Sequence, residues 1–152
     1  MSIIIQSPLA GTVVSAAQVP DPVFSTGMLG TGLAIDPDRA AGEVTVLAPI
    51  TGTVDKAHPH AFVVSDGAGH SVLVHLGLDT VQLGAEGFRM HVAEGEAVAA
   101  GDPVVTWCPA GVEAGGRNPI VPVVALQADA LQIIPSPEGT RISAGQALMT
   151  WN

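Results

Sequence analysis

Two short sequence segments, called the repeated phrases below, each occur twice in this chain. This duplication limits the folds that the chain can adopt. Residues 7–13 (SPLAGTV) recur as residues 48–54 (APITGTV), and residues 94–107 (EGEAVAAGDPVVTW) recur as residues 138–151 (EGTRISAGQALMTW). Each phrase combines Gly or Pro turn signals with Val-rich or Thr-rich segments, which is typical of short strands joined by turns. Two copies are too few for a solenoid, which needs three or more repeats. The duplication therefore predicts a compact β barrel or sandwich with internal pseudo-symmetry.

The composition favours the same all-β fold with little helix. The 152 residues include 18 Gly and 12 Pro, and only 12% of them are charged. Long periodic segments of Leu, Glu and Lys, which helical bundles require, are missing. We expect at most a turn or two of helix, within residues 79–92 and 123–132. The length suits a single domain that spans residues 1–152.

Charge and hydropathy exclude several classes of function. The net charge is −9 and there are only five Lys and Arg residues, so no basic patch can neutralise nucleic-acid phosphates or anionic lipids. The acidity serves either a partner with a basic face or solubility alone. The N-terminus lacks the basic region of a signal peptide, and no run approaches the roughly 18 apolar residues of a membrane-spanning helix. Cys108 is the single cysteine, which excludes an internal disulfide. We expect a soluble cytoplasmic protein without a nucleic-acid partner or direct membrane insertion.

Two histidines flank the ends of a predicted β hairpin in the segment HAFVVSDGAGHSVLVH. If residues 66–69 form a four-residue loop, Ser65 pairs with His70, and His60 lies directly opposite His75 at a Cβ separation of roughly 4.5–5.5 Å. A slip of one residue would place the two side chains on opposite faces. Facing imidazoles suit metal binding with a third ligand, acid–base chemistry near neutral pH, or covalent phosphoryl transfer. The alternative is a structural, hydrogen-bonded histidine at each strand end.

The segments around these histidines resemble the glucose-type IIA family of the bacterial phosphoenolpyruvate-dependent sugar phosphotransferase system. The resemblance rests on HAF (residues 60–62) followed by VHLGLDTVQLGAEGF (residues 74–88). SPLAGTV, VPDPVFSTGMLGTGLAI, APITGTV and VAEGEAVAAGDPVV match further blocks of that family in the same order. The resemblance covers residues 3–151. It implies an all-β barrel sandwich known as a duplicated hybrid motif, which agrees with the internal repeats.

The resemblance also implies a phosphohistidine relay. His75 would accept a phosphoryl group from the histidine-containing phosphocarrier protein and pass it to a cysteine of a sugar-specific IIB domain or IIBC permease. His60 would stabilise the phosphoryl group, and His58, Asp21 and Asp79 would support the site. A well-studied branch of the family has Thr at the position of His58, so the network around His75 would differ in detail. The resemblance further implies an apolar docking rim, for which ordinary core packing is the alternative, most of all for Phe62. The rim would consist of Val23, Phe24, Met28, Leu29, Phe62 and Val81.

Neither a cofactor nor a metal is expected, although His60 and His75 could capture zinc if a partner supplied a carboxylate. One alternative is a zinc hydrolase of peptidase type that shares the hybrid-motif architecture, and it would need a third ligand beside this pair. Another is a biotinyl-like carrier, which would need a Lys at a hairpin tip. The only Lys, Lys56, has no flanking Met. The sequence does not indicate which sugar is transported.

Overall fold

The computed structural model describes residues 2–152, which form short strands joined by tight turns. The strands are β1 (Ile3–Gln6), β2 (Gly11–Ser15), β3 (Gly30–Pro37), β4 (Val44–Leu47), β5 (Gly52–His58), β6 (Ala61–Ser65), β7 (Ser71–His75), β8 (Phe88–Met90), β9 (Ala97–Val98), β10 (Pro103–Trp107), β11 (Val121–Leu126), β12 (Ile133–Pro135), β13 (Arg141–Ile142) and β14 (Ala147–Trp151). Helices among the described residues are α1 (Pro22–Ser25), α2 (Pro109–Ala114) and the 3₁₀ turns Ala16–Gln18, Thr80–Leu83 and Ala130–Gln132. The prediction of an all-β fold with little helix is confirmed.

Two of the 3₁₀ turns fall in the segments where helix was expected, whereas α1 and α2 do not. Both unexpected helices begin with Pro in the first turn. The backbone N–H groups of a first turn have no partner within the helix, so the N–H that Pro lacks is not needed there, and the fixed φ of Pro suits a helix. The side chains of Asp21 and Cys108 cap α1 and α2 respectively. Such short helices have no apolar periodicity, so a pattern search passes over them. Within residues 2–152, no helix has the length and apolar character needed to cross a membrane.

The order of the strands is symmetric about the centre of the largest sheet. Eight strands follow the order β13-β2-β3-β11-β7-β6-β5-β9, and two smaller sheets follow β1-β14-β12 and β4-β10-β8. Strands at the same distance from the two edges of this sheet occupy equivalent positions in the two halves of the sandwich. The first repeated phrase leads into β2 and β5, and the second supplies β9–β10 and β13–β14. The predicted sandwich with internal pseudo-symmetry is therefore confirmed.

A glycine of each repeat lets two backbones approach closely. A Cβ atom on Gly11 would lie 2.2 Å from the carbonyl oxygen of Asp36, and one on Gly52 would lie 2.1 Å from that of Ser65. Real Cβ atoms do not approach a backbone oxygen so closely, so only glycine fits. The Gly of the repeated phrase is therefore a packing requirement at the start of both β2 and β5.

Hydrophobic side chains occupy two layers, one on each face of the large sheet. The main core lies between this sheet and the two smaller ones, and Val72 and Val74 of β7 point into it. A second cluster covers the opposite face and comprises Val19, Phe24, Ala34, Leu78, Ile120 and Val124. Leu73 packs against the second cluster. Because side chains alternate along a strand, His75 shares this outer face with Leu73.

Replacement of Gly52 by Ala should destabilise the protein by about 2 kcal/mol or more, because the new methyl group would overlap backbone atoms of β6 and force the strands apart. Urea unfolding monitored by tryptophan fluorescence measures the change. Gly111→Ala is the matched control, since its Cβ would meet nothing nearer than the Cys108 Sγ at 3.5 Å. Ala in helix α2 should leave stability unchanged or raise it. Equal stability of the two variants would contradict this account.

Candidate functional site

The predicted register of the β6–β7 hairpin is wrong by one residue. Ser65 pairs with Ser71 rather than with His70, and His75 pairs with Ala61. Asp66 causes the difference, because its side chain accepts hydrogen bonds from the backbone N–H groups of Ala68 (2.8 Å) and His70 (3.1 Å). The Asp66 N–H also donates to the His70 carbonyl at 3.0 Å, so Asp66 and His70 pair with each other and enclose a turn of residues 67–69 instead of the predicted loop of residues 66–69.

The two histidine rings nevertheless lie together. The ring centroids of His60 and His75 are 5.2 Å apart, and the rings meet edge to face at 76°. His60 lies in the turn between β5 and β6, so strand alternation does not dictate where its side chain points. Its carbonyl accepts a 2.7 Å hydrogen bond from the Leu76 N–H, which ties the turn to the end of β7. The small side chain of Ala61, opposite His75, leaves room for the His60 ring.

One hydrogen bond determines which nitrogen of His75 can react. Nδ1 of His75 lies 2.6 Å from the carbonyl oxygen of Gly77. A carbonyl only accepts, so Nδ1 carries the proton and donates it. The lone pair of the neutral ring is then on Nε2. Neither Nε2 of His75 nor the ring of His60 hydrogen-bonds another side chain within residues 2–152, and both remain available for a ligand.

Burial keeps both rings neutral. Desolvation lowers the pKa of His75, and this effect outweighs the hydrogen bond to Gly77 and the charges of Asp21 and Asp79, which raise it. Desolvation also lowers the pKa of His60, and the neighbouring His75 and His58 lower it further. Near neutral pH each imidazole therefore has a free lone pair, which is the form needed for nucleophilic attack or metal binding.

The residues expected to support the site lie around the pair. His58 is exposed and stacks on His60, with ring centroids 5.9 Å apart and an interplanar angle of 27°. Asp21 caps helix α1 through a 3.0 Å hydrogen bond from the Val23 N–H. Asp79 has φ of 59°, a left-handed conformation that Asp tolerates better than most residues. Both carboxylates lie near enough to His75 to act on its pKa.

Five of the six rim residues lie in or beside the segments that flank this site, and the sixth does not. Phe62 is completely buried in the main core, because it pairs with Val74 on the inner face of the hairpin. Its placement in an exposed rim is wrong. Phe24 is also buried, and its ring packs on His75 at 5.2 Å. The exposed members are Val23 (39%), Met28 (66%) and Val81 (61%), while Leu29 packs partly against the second cluster.

Sequence reasoning missed the residues that hold the His75 loop in place. The Gly77 carbonyl orients the ring, and this glycine has φ of 77°. Thr80 is fully buried and donates a 2.6 Å hydrogen bond to the Leu76 carbonyl. The Leu78 N–H bonds the Asn118 carbonyl at 2.8 Å, which joins the loop to the segment before β11. The HLGLDT motif held the signal for the first two contacts, since a Gly and a Thr follow the histidine, but nothing in it pointed to Asn118.

A β sandwich built from two similar halves, with a pair of neutral histidines at the end of a central strand, has the features of a phosphoryl carrier. Residues 3–131 match the model of the family described as phosphoenolpyruvate-dependent sugar phosphotransferase system, EIIA 1. The chain belongs to this family. It is a phosphotransferase component, and it spans less than a quarter of the length of the first multidomain relatives that it matches.

Individual relatives agree with the family match. The chain is 36% identical over 143 residues to the glucose-specific EIIA component of Bacillus cereus, covering 93% of this chain and 84% of that protein. It is 36% identical over 148 residues to the beta-glucoside-specific EIIBCA component of Bacillus subtilis, covering 96% of this chain but only 24% of that protein. The solved structure of glucose permease IIA from Mycoplasma capricolum superimposes with a TM-score of 0.88 at 29% identity, covering 99% of this chain and 96% of that one.

The zinc-hydrolase alternative receives no support. None of these relatives is a hydrolase, and no group of three His, Cys, Asp or Glu side chains within residues 2–152 is placed to hold a metal ion. His60 and His75 would supply only two ligands, and a zinc site needs at least three from protein. The fold and the family therefore support the interpretation of this chain as a phosphoryl carrier.

We expect stability to decrease as the pH falls through 6.5, the ordinary histidine pKa. His60 and His75 have lower pKa values in the folded protein than in the unfolded chain, so the unfolded chain takes up protons first and is favoured at acid pH. Urea unfolding of the wild type and of His75→Gln at about pH 8 and about pH 5.5 measures this effect. The variant should lose less stability than the wild type on acidification. NMR titration that placed either ring pKa above 6.5 would contradict the assignment.

Proposed function

We propose that His75 is the phosphorylated residue of this carrier and that residues 2–152 act as one EIIA domain. The supporting observation is the His75 ring itself, which is neutral, proton-bearing on Nδ1 and open at Nε2. A neutral imidazole with a fixed tautomer is a ready nucleophile for a phosphoryl group. The donor would be the histidine-containing phosphocarrier protein, and the acceptor a cysteine of an EIIB domain.

In the first transfer, the lone pair of Nε2 attacks phosphorus in line with the breaking P–N bond of the donor's phosphohistidine. The donor ring keeps the electron pair of that bond, so no proton needs to leave His75. The Gly77 carbonyl holds the Nδ1 proton throughout and keeps the ring oriented. In the second transfer, a cysteine thiolate of EIIB attacks phosphorus, and Nε2 of His75 is the leaving group. Positioning and electrostatics contribute most of the rate in such transfers.

His60 is the proposed stabiliser of the phosphoryl group. Its ring meets His75 edge to face at a centroid distance of 5.2 Å, so an N–H on its edge can donate to a phosphoryl oxygen. The two negative charges of a phosphoryl group would also raise the pKa of His60 and favour this hydrogen bond. His58, whose ring stacks on His60 at a centroid distance of 5.9 Å, is proposed as the positioning residue of that ring.

The surroundings of His75 suit a partner with a basic, partly apolar face. Asp21 and Asp79 place negative charge beside the reactive ring, and Met28 and Val81 present apolar surface next to these two segments. Opposite charges accelerate the encounter, and desolvated apolar contacts then hold the complex. Because the relatives are named for glucose and beta-glucoside, we propose a sugar substrate of the permease without assigning one sugar. A relay of this kind would operate on the cytoplasmic side of the membrane.

Replacement of His75 by Ala should abolish phosphorylation, because the attacking nitrogen is lost. The purified protein is incubated with phosphoenolpyruvate, enzyme I and the histidine phosphocarrier, and intact mass spectrometry detects one acid-labile phosphoryl group. His60→Ala should still be labelled but should pass the group to EIIB at least about tenfold more slowly, since one stabilising hydrogen bond is lost.

His70→Ala is the matched control for these variants. His70 is a partly buried histidine at the opposite end of the same hairpin, where it bonds Asp66, and its loss should leave labelling intact. Full labelling of His75→Ala would refute the assignment of the reactive residue. Unchanged onward transfer by His60→Ala would refute the role of the second histidine.

The exposed rim should contribute to recognition rather than to chemistry. The double change Met28→Ser with Val81→Ser should raise the KM for the phosphocarrier about tenfold and leave kcat nearly unchanged, because docking contacts are lost while His75 is untouched. Steady-state transfer assays at varied phosphocarrier concentration separate the two constants. A fall in kcat with constant KM would place these side chains in the reaction step instead.

A further inference from the structure

An apolar row crosses the outer face of the β1-β14-β12 sheet, remote from the histidines. Ile4 and Ile134 both pair with Thr150 of the central strand, so the three side chains lie side by side on one face. Ile4 is 50% exposed and Ile134 is 59% exposed. Leu131, in the 3₁₀ turn that precedes β12, is 97% exposed. We call Ile4, Leu131, Ile134 and Thr150 the outer apolar face.

The pseudo-symmetric sheet β4-β10-β8 provides an internal control for this face. The equivalent row is Thr45, Thr106 and Arg89. Thr45 and Thr106 hydrogen-bond each other at 3.0 Å, His91 bonds Thr106 at 2.7 Å, and Arg89 pairs with Glu43 at 3.5 Å. The fold therefore accepts an entirely polar row at this position. The exposed isoleucines are therefore not required for folding, and exposed apolar side chains that lie side by side are a feature of interaction sites.

Negative charge borders the outer apolar face. Asp66, whose carboxylate bonds the His70 ring, lines a groove of about 270 Å³ together with Ile4, and the exposed Asp129 directly precedes the turn that contains Leu131. Neither this groove nor the groove along Ile134 on the other side has a Lys or Arg in its lining. In a chain of net charge −9, such a surface complements an apolar contact that is surrounded by basic residues.

The face lies at the end of the hairpin opposite to His75. His70, in the β6–β7 turn, packs its ring on Trp151 of β14 at a centroid distance of 4.7 Å, whereas His75 ends the strand that leaves this turn. A strand of this length spans about 15 Å at 3.3 Å per residue. A partner on the outer apolar face would therefore leave the histidines open to a second partner.

The relatives indicate which partner is available at this end. Both β1 and β14, the first and last strands, belong to this sheet, and Ser2 bonds Asn152 at 2.7 Å. The Bacillus subtilis EIIBCA relative, of which the matched segment is 24%, carries EIIB and EIIC parts in the same protein. Cytoplasmic loops of membrane proteins carry an excess of Lys and Arg, which is the charge that this acidic face complements.

We propose that the outer apolar face docks on the basic cytoplasmic loops of the EIIC membrane domain, while His75 at the other end serves EIIB. This inference rests on the proposed function, because it assumes that the chain works with an EIIBC permease. Two-ended attachment would raise the effective concentration of the carrier near EIIB without any added contact at the transfer site.

The test is the affinity of the purified chain for the EIIBC permease of the same organism in zwitterionic nanodiscs. The double variant Ile4→Thr with Ile134→Arg introduces the side chain types of the polar equivalent row, so it is expected to fold. Its Kd for EIIBC should rise at least about tenfold, while phosphoryl transfer to the isolated EIIB domain should be unchanged. Thr45→Ala with Arg89→Ala, on the pseudo-symmetric sheet, is the control and should leave the Kd unchanged.

An unchanged Kd for the double isoleucine variant would overturn the proposal. Equal binding of the wild type to empty nanodiscs would overturn it in favour of a lipid surface. A wild-type dimer that the variant converts to monomer, measured by sedimentation, would overturn it in favour of a second copy. Failure of the proposed function is separate, because it would appear as unlabelled wild-type protein in the phosphorylation assay, whatever the Kd for EIIBC.

Discussion

The close approach between the two halves of the sandwich is the constraint on which the rest of this structure depends. The Gln6 N–H donates to the Pro49 carbonyl at 2.9 Å, and the equivalent Leu47 N–H donates to the Pro8 carbonyl at 2.8 Å. These reciprocal bonds join the start of one repeat to the start of the other. They are possible because the strands that follow begin with glycines whose place no other residue could take. The pairing makes one core from two half-units that could not each bury a face alone.

The arrangement of His60 and His75 depends on the break in regular structure where strands stop. Within a strand the pleat would dictate the direction of each side chain. His60 lies in a turn and His75 at a strand end, so their rings can approach although their register positions do not match. Backbone bonds then hold this arrangement, through the Leu76 N–H to His60 and from the His75 ring to the Gly77 carbonyl. The polar atoms that remain free are those that a phosphoryl group would use.

The predicted proximity of His60 and His75 holds for a reason that differs from the argument that produced it. The prediction from the sequence placed His60 opposite His75 because it assumed a four-residue loop. The observed register pairs His75 with Ala61. Asp66 determined the loop through side-chain bonds that a turn signal does not reveal. Phe62 was assigned to the rim by resemblance and is buried, because its face of the strand follows from the register. Helices α1 and α2 were missed because they are too short to show periodicity.

The sequence by itself determined the fold class, the duplication and the family, because repeats, turn residues and the HLGLDT motif are local patterns that need no knowledge of distant contacts. Only the tertiary structure decided the geometry of the site. The direction of the His60 ring and the depressed pKa values of both histidines depend on burial and on contacts with other segments. The outer apolar face likewise became visible only when Ile4 and Ile134, far apart in the chain, met across Thr150. Long-range pairing creates these properties, and no local pattern encodes them.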